Sequence, residues 1–202
     1  MLIKSAEFVK SSTGYQQCPP ENLPEYAFIG RSNVGKSSLI NKACNQAKLA
    51  KTSSTPGKTQ MINHFLINHE WYLVDLPGYG FAKMPLKMKK RMEQMISHYL
   101  LSRKNLMNIF VLIDSRHKPL PIDMDFMENL AENALPFTII FTKADKSKKR
   151  ALEQNLALYK KTLADRWEEL PPYILTSSET GLGTEELLGS ISNANAVFEP
   201  NK

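Results

Sequence analysis

The chain has 202 residues, of which 42% are hydrophobic and 23% are charged, a balance typical of a folded globular protein rather than a disordered one. Its formal net charge of +6 favours a polyanionic partner such as RNA or an anionic membrane surface. The two cysteines lack metal-ligand spacing and a disulfide pattern, and neither a signal-peptide core nor an apolar run of membrane-spanning length occurs, so we expect a cytoplasmic protein.

Strand and helix patterns alternate along almost the whole chain. Residues 1–25 predict a short strand at 6–10 and a polar connector, both packed on a single domain formed by residues 26–202. Further strands are predicted at 26–29, 61–67, 71–74, 107–113, 137–141 and 173–176, and helices at 37–45, 86–101, 121–133, 148–163 and 184–192. This alternation predicts an α/β fold, with a mostly parallel sheet and helices on both faces.

A glycine-rich loop joins the predicted strand at 26–29 to the helix at 37–45. Residues 30–37 read Gly-Arg-Ser-Asn-Val-Gly-Lys-Ser, which is the Walker A phosphate-loop pattern in its usual place between a strand and a helix. Backbone N–H groups of such a loop surround an anion, and the helix adds its positive end. We expect Lys36 to reach the β- and γ-phosphates and the Ser37 hydroxyl to bind Mg²⁺. The predicted phosphate contacts are Gly30, Arg31, Ser32, Asn33, Val34, Gly35, Lys36 and Ser37.

A second motif follows the predicted strand at 71–74, where residues 75–78 read Asp-Leu-Pro-Gly. An acidic residue at a strand end beside a phosphate loop is placed to hold Mg²⁺, often through water. The N–H of Gly78 is expected to contact the γ-phosphate, so that loss of this phosphate relaxes the following loop. Tyr79 stands where Ras-type enzymes carry a glutamine that orients the attacking water, which predicts slow intrinsic hydrolysis.

Two later loops predict which base is bound. Residues 142–145 read Thr-Lys-Ala-Asp, and the Asp145 carboxylate would accept from the N1–H and the N2 amine of guanine, a donor pair that adenine lacks. The Lys143 stem would pack along the base and ribose, whereas a helix cap is the alternative role for Asp145. Residues 176–178 follow the next strand and can offer a backbone N–H to the guanine O6. The order of these motifs predicts a Ras-like GTPase and argues against an ATP-using enzyme such as a small kinase.

The polar segment 51–60 lies between the first helix and the next strand. GTPases place a threonine here whose hydroxyl and carbonyl complete the Mg²⁺ shell only when GTP is bound. Thr55 and Thr59 are both candidates, and Thr59 is favoured because it adjoins the strand predicted at 61–67. Ordinary loop hydroxyls are the alternative.

Three segments resemble the EngB (YihA/YsxC) family of bacterial GTPases, within the TrmE–Era–EngA–EngB–septin class. They are residues 30–41, 52–60 and 75–82, the last reading Asp-Leu-Pro-Gly-Tyr-Gly-Phe-Ala, and the similarity extends from about Ala6 to Ser192. The resemblance implies a Ras-like P-loop GTPase domain, a role in assembly of the large (50S) ribosomal subunit, and a requirement for normal cell division and septation. It also implies Mg²⁺ ligation by Ser37 and Thr59. A K⁺ ion held beside the phosphates by Asn33 is a hypothesis that the class suggests, with a purely loop-shaping role for Asn33 as the alternative.

Residues and resemblance together predict catalytic roles for Lys36, Thr59 and Gly78. The predicted nucleotide contacts outside the phosphate loop are Gly57, Lys58, Thr59, Gln60, Met61, Asp75, Leu76, Pro77, Gly78, Thr142, Lys143, Ala144, Asp145, Thr176, Ser177 and Ser178.

Basic residues predict a surface for rRNA phosphates, although a solvated helix face is the alternative meaning of such runs. One cluster consists of Lys83, Lys87, Lys89, Lys90 and Arg91, followed by Arg103 and Lys104, and the other of Lys146, Lys148, Lys149 and Arg150. The expected partners are therefore GTP or GDP and the 50S subunit or its precursor, bound by a monomer. A GTP-dependent binding module of the division machinery, with incidental hydrolysis, is the competing function.

Overall fold

The computed structural model describes residues 1–50, 60–80 and 84–200. Predictions for Thr55, Gly57, Lys58, Thr59 and Lys83 lie outside the described residues. The described strands are β1 (Ala6–Ser12), β2 (Glu25–Gly30), β3 (Ile62–Ile67), β4 (Trp71–Asp75), β5 (Leu106–Asp114), β6 (Phe137–Thr142) and β7 (Tyr173–Leu175). The described α-helices are α1 (Lys36–Ala43), α2 (Leu86–Ser102), α3 (Pro121–Glu132), α4 (Lys149–Ala164) and α5 (Thr184–Asn195), with 3₁₀ turns at Tyr15–Gln17 and Ala144–Lys146.

The strands form one sheet in the order β1-β3-β4-β2-β5-β6-β7. Strand β3 pairs antiparallel with β1 and β4, whereas β4, β2, β5, β6 and β7 run parallel to one another. The predicted α/β architecture with a mostly parallel sheet is confirmed.

Alternation along β2 explains why helices cover both faces of the sheet. Side chains of successive strand residues point to opposite faces, and all six residues of β2 are buried. Ala27 and Ile29 belong to a core with buried residues of α2, α3 and α4. Tyr26 and Phe28 belong to a second core with buried residues of α1 and α5. A continuous apolar strand of this kind is typical of a central parallel strand buried on both sides.

The parallel strands end at a common edge of the sheet, and the predicted motifs follow these ends. The phosphate loop follows β2, Asp75 ends β4, Thr142 ends β6, and residues 176–178 follow β7. In open α/β sheets the crevice at the carboxyl ends of the strands is the usual place for a ligand.

Arg103 was predicted to belong to the basic surface, and the structure shows that this prediction is wrong. Arg103 is only 7% exposed, and its guanidinium donates to the buried carboxylate of Glu25 through Nη2 and, at 3.2 Å, through Nε. Tyr99 donates to the same carboxylate at 2.7 Å, and His64 Nε2 lies 3.3 Å from it. Arg103 therefore joins the end of α2 to β2 and is not part of a solvent-facing cluster. Among the described residues, no helix is both long and apolar enough to cross a membrane.

Candidate nucleotide-binding site

The loop between β2 and α1 has the backbone geometry that its glycines allow. Gly35 caps α1 with φ of 100°, a left-handed conformation that side chains disfavour. At Gly30, a Cβ atom would lie 2.7 Å from the backbone oxygen of Leu112, so glycine allows this close approach of β2 to β5. Helix α1 begins at Lys36, and its unpaired N–H groups adjoin the loop. The loop and helix end together can surround an anion.

Lys36 and Asp75 meet across the gap between the phosphate loop and β4. The Lys36 ammonium contacts Asp75 Oδ1, and the two side chains are only 10% and 5% exposed. Burial lowers the pKa of Lys36 to about 7, while the adjacent carboxylate favours the charged ammonium. The lysine of the phosphate loop and the aspartate of the D-x-x-G segment are thus in direct contact.

The segment after β4 is hydrogen-bonded to the end of β2 and to the phosphate loop. The Leu76 N–H donates to the backbone oxygen of Phe28 at 3.0 Å, and Tyr79 forms an isolated parallel bridge with Arg31. Pro77 and Gly78, between these two attachments, are buried. The backbone around Gly78 is thus held beside the phosphate loop.

Gln60 and Met61 lie at the same edge of the sheet. They immediately precede β3, and Asn63 near the start of β3 pairs with Asp75 at the end of β4. Because β3 is antiparallel to its neighbour, its beginning adjoins the carboxyl ends of the parallel strands. The structure thus brings this pair near Asp75, with Met61 41% exposed.

A cleft of about 230 Å³ opens next to the phosphate loop, where the residues predicted to bind the base converge. It is lined by Gly35, Ser38, Leu39, Thr142, Lys143, Asp145, Lys146, Thr176, Ser178 and Glu179. Ala144 donates its N–H to the oxygen of Thr176 at 3.1 Å, which joins the loops that follow β6 and β7. The cleft thus brings five residues predicted to bind the base together with Gly35 of the phosphate loop, whereas Lys36, Ser37 and Asp75 are not among its lining residues.

Asp145 is oriented by a side chain from the neighbouring loop. The Ser177 hydroxyl donates to Asp145 Oδ1 at 2.6 Å, and this bond lowers the pKa of Asp145. Lys146 lies 3.1 Å from Oδ2. The alternative role as a helix cap is not seen, because Asp145 lies inside the 3₁₀ turn and no side-chain cap is formed there. A carboxylate fixed at the cleft is suited to accept paired N–H donors.

Lys143 links the base cleft to the phosphate loop and to an acidic residue that the motifs did not predict. Its ammonium donates to the Asn33 oxygen at 2.6 Å and to Asp114 Oδ2 at 2.9 Å. Although burial raises the pKa of Asp114, hydrogen bonds from Arg116 and Lys143 hold it well below its usual range. An aspartate at the end of the buried strand β5, at the same sheet edge as the motifs, is the sequence signal that could have found it.

Together, a Walker A loop after β2, a D-x-x-G segment after β4 and a base cleft between β6 and β7 define a P-loop GTPase of the Ras-like class. Residues 25–143 match the family model MMR_HSR1, described as a 50S ribosome-binding GTPase. The chain is 57% identical over 195 residues to a probable GTP-binding protein EngB of Phocaeicola vulgatus, with 96% of this chain and 98% of the relative covered. The chain belongs to the EngB family of GTP-binding proteins, and it is a GTPase.

Solved structures show the same fold. A crystal structure of a probable GTP-binding protein EngB has a TM-score of 0.69 at 24% identity, covering 85% of this chain and 98% of that one. A structure of Era in complex with MgGDPNP and nucleotides 1506–1542 of 16S ribosomal RNA also has a TM-score of 0.69, at 22% identity, covering 90% of this chain and 59% of that one. At these identities the likeness supports the fold alone.

Proposed function

We propose that this GTPase is a cytoplasmic nucleotide switch in assembly of the large (50S) ribosomal subunit and is needed for normal cell division. The description of the matching family supports a ribosomal partner, and Era, a relative in fold, was solved with ribosomal RNA. The observation that carries the proposal is an exposed basic face on α2, the helix that follows the D-x-x-G segment. A nucleotide-dependent change near Gly78 could alter how this face meets RNA phosphates.

Three residues form this basic face. Lys87, Lys90 and Arg91 are exposed, and their spacing of three and four residues places them on one side of the helix. Within the described residues none of the three forms an ion pair, whereas Lys89 lies 3.8 Å from Glu93. Leu86 and Met88 beside them are 68% and 47% exposed. A cationic face with apolar neighbours suits RNA, which offers both phosphates and unstacked bases.

For the nucleotide, we propose the contacts that the motifs predict. Lys36 would move from Asp75 to the β- and γ-phosphates, Gly78 would offer its N–H to the γ-phosphate, and Asp145 would hold guanine. Ser37 and Asp75 supply hydroxyl and carboxylate oxygens, the hard donors that Mg²⁺ prefers. When bound, Mg²⁺ would neutralise charge on the phosphates. A monomer is the proposed state, and the Mg²⁺ contact from Thr59 remains a prediction.

Slow intrinsic hydrolysis is part of the proposal. Tyr79 is only 8% exposed, and its hydroxyl donates to Asp123 at 2.9 Å. It is therefore not available to orient an attacking water as a glutamine would. A slow chemical step suits a switch whose GTP state must last until its partner is bound.

Co-sedimentation with 50S subunits, in GDP and in a non-hydrolysable GTP analogue, tests the proposal. We expect binding mainly with the analogue, and its loss in the triple variant K87E/K90E/R91E. The matched control is K10E/K160E/K161E, which reverses three exposed charges on β1 and α4, outside both predicted basic clusters. Nucleotide affinity is measured on every variant.

Intact ribosome binding by K87E/K90E/R91E would refute the role of the α2 face. If the wild-type protein binds nucleotide but no 50S subunit in either state, the ribosomal function is wrong. The competing function, a GTP-dependent module of the division machinery, would then be favoured.

A further inference from the structure

One buried carboxylate connects the phosphate loop with the residue that follows Gly78. Asp123, in the first turn of α3, is 1% exposed. Its Oδ1 accepts from the Tyr79 hydroxyl at 2.9 Å and lies 3.2 Å from Arg31 Nε. Arg31 follows Gly30 in the phosphate loop, and Tyr79 follows Gly78, so a single oxygen joins the two nucleotide loops through α3.

Two further contacts fix Tyr79 in this place. Its ring stacks on Phe126 of α3, with centroids 4.4 Å apart and planes 18° from parallel, and its backbone bridges that of Arg31. The ring, the hydroxyl and the backbone of Tyr79 are thus all held, so the chain is anchored directly after Gly78, as it is before Gly78 by the hydrogen bond from Leu76 to Phe28.

Burying the Asp123 carboxylate is unfavourable, and its two partners, Tyr79 and Arg31, satisfy only one of its oxygens. Burial raises the pKa of Asp123, although the Arg31 guanidinium opposes this. Its second oxygen, Oδ2, is buried without a hydrogen-bond partner among the described residues. A half-satisfied buried carboxylate destabilises the fold relative to an apolar side chain, and such groups often mark functional sites.

We propose that Asp123 is a positioning residue for the GTPase reaction, which holds Tyr79 against Arg31 so that the N–H of Gly78 is ready for the γ-phosphate. The inference rests on the proposed role of Gly78. Asp123 contacts neither the nucleotide nor Mg²⁺ in this scheme. Through Tyr79 its influence falls on the γ-phosphate, whereas its contact with Arg31 belongs to the phosphate loop that GDP and GTP share. Y79F leaves the Arg31 contact in place and is therefore the sharper of the two variants below.

The test compares affinities for GDP and for a non-hydrolysable GTP analogue in D123A and in Y79F, which removes only the hydroxyl. We expect each variant to weaken analogue binding about threefold to tenfold relative to GDP, with a matching fall in single-turnover hydrolysis. The control is D125N, because Asp125 lies on the same helix, is 67% exposed and faces Arg166 at 3.6 Å. Its analogue-to-GDP ratio should equal that of the wild type.

A double-mutant comparison separates positioning from general destabilisation. If Asp123 acts through Tyr79, adding Y79F to D123A changes the analogue-to-GDP ratio little further. Equal losses for GDP and the analogue, or an unchanged ratio in Y79F, would overturn the proposal. Failure of the wild-type protein to distinguish the two nucleotides would instead contradict the proposed role of Gly78.

Discussion

The Lys143 ammonium lies 2.6 Å from the backbone oxygen of Asn33, so the base-recognition loop is tied directly to the phosphate loop. The two segments are 110 residues apart in the chain. Thr142 adds a second tie, because its hydroxyl donates to the Val34 oxygen at 2.6 Å. A ligand that contacts both loops therefore meets two surfaces already fixed relative to each other, which lowers the ordering cost of binding.

Replacing Asp114 by asparagine should loosen this junction. Asp114→Asn removes the negative charge 2.9 Å from Lys143, and we expect guanine-nucleotide affinity to fall about threefold to tenfold, mainly through faster dissociation. Dissociation of a fluorescent GDP analogue measures the effect. Glu132→Gln, on the exposed end of α3, is the control and should leave the rate unchanged. A dissociation rate equal to that of the wild type in Asp114→Asn would show that Asn33 alone positions Lys143.

Base selection should depend on Asp145. Asp145→Asn replaces one of the two acceptor oxygens by an NH₂ donor, so GTP affinity should fall on the order of 100-fold. Xanthosine triphosphate carries a carbonyl in place of the guanine amine and can accept from this NH₂ group, so it should bind the variant better than it binds the wild type. Competition among GTP, ATP and xanthosine triphosphate measures this change.

Ser177→Ala is the milder companion variant. It leaves the Asp145 carboxylate in place but removes the 2.6 Å hydrogen bond that orients it. We therefore expect GTP affinity to fall about threefold to tenfold, without a change in which base is preferred. Unaltered GTP preference in Asp145→Asn would contradict the assignment of the base cleft.

The motifs that are contiguous in sequence were predictable, and the contacts that join distant segments were not. The phosphate loop, Asp75 and residues 142–145 each follow a strand pattern, so their shared edge followed from the parallel sheet. The partnership of Asp114 with Lys143 depends on β5 and β6 being neighbours in register, which no local pattern states. The contacts of Asp123 could not be predicted for the same reason, since its partners come from the loops after β2 and β4.

Arg103 shows how a local pattern can mislead. It stands beside Lys104 after a helix rich in lysine, which is typical of a solvated basic run. The structure instead places Arg103 against Glu25. The start of β2 lies beside the end of α2 in space, so the buried Glu25 carboxylate can accept hydrogen bonds from Arg103. Charge runs in sequence cannot distinguish a free cation from one neutralised by a partner 78 residues away.

The Glu25 network should make stability depend on pH in acid. Although burial raises the pKa of Glu25, hydrogen bonds from His64 and Arg103 lower it to about 2 from an ordinary value of 4.5. Because the folded pKa is depressed, the stabilisation is present above about pH 4.5 and is lost as pH falls towards about 2.

Urea unfolding between pH 7 and pH 3 should reveal this dependence in the wild type. Glu25→Gln should be less stable at pH 7, because Arg103 is left buried without its counter-charge, and its stability should fall less steeply in acid. Glu21→Gln is the control, since Glu21 is 31% exposed and lies 3.4 Å from the same arginine. Parallel pH profiles for the wild type and Glu25→Gln would contradict the depressed pKa.

The K⁺ hypothesis can be separated from a loop-shaping role at Asn33. Asn33 has φ of 62°, a left-handed conformation that glycine adopts without strain. Asn33→Gly therefore keeps the loop shape and the backbone oxygen that binds Lys143 but removes the amide that would hold K⁺.

We expect wild-type turnover to be faster in K⁺ than in Na⁺ buffer, measured with and without ribosomes, and Asn33→Gly to lose this difference while nucleotide affinity stays close to that of the wild type. Identical wild-type rates in the two buffers would show that K⁺ plays no part. Retained K⁺ stimulation in Asn33→Gly would leave Asn33 only a role in shaping the loop, because glycine reproduces the shape but cannot supply the amide oxygen.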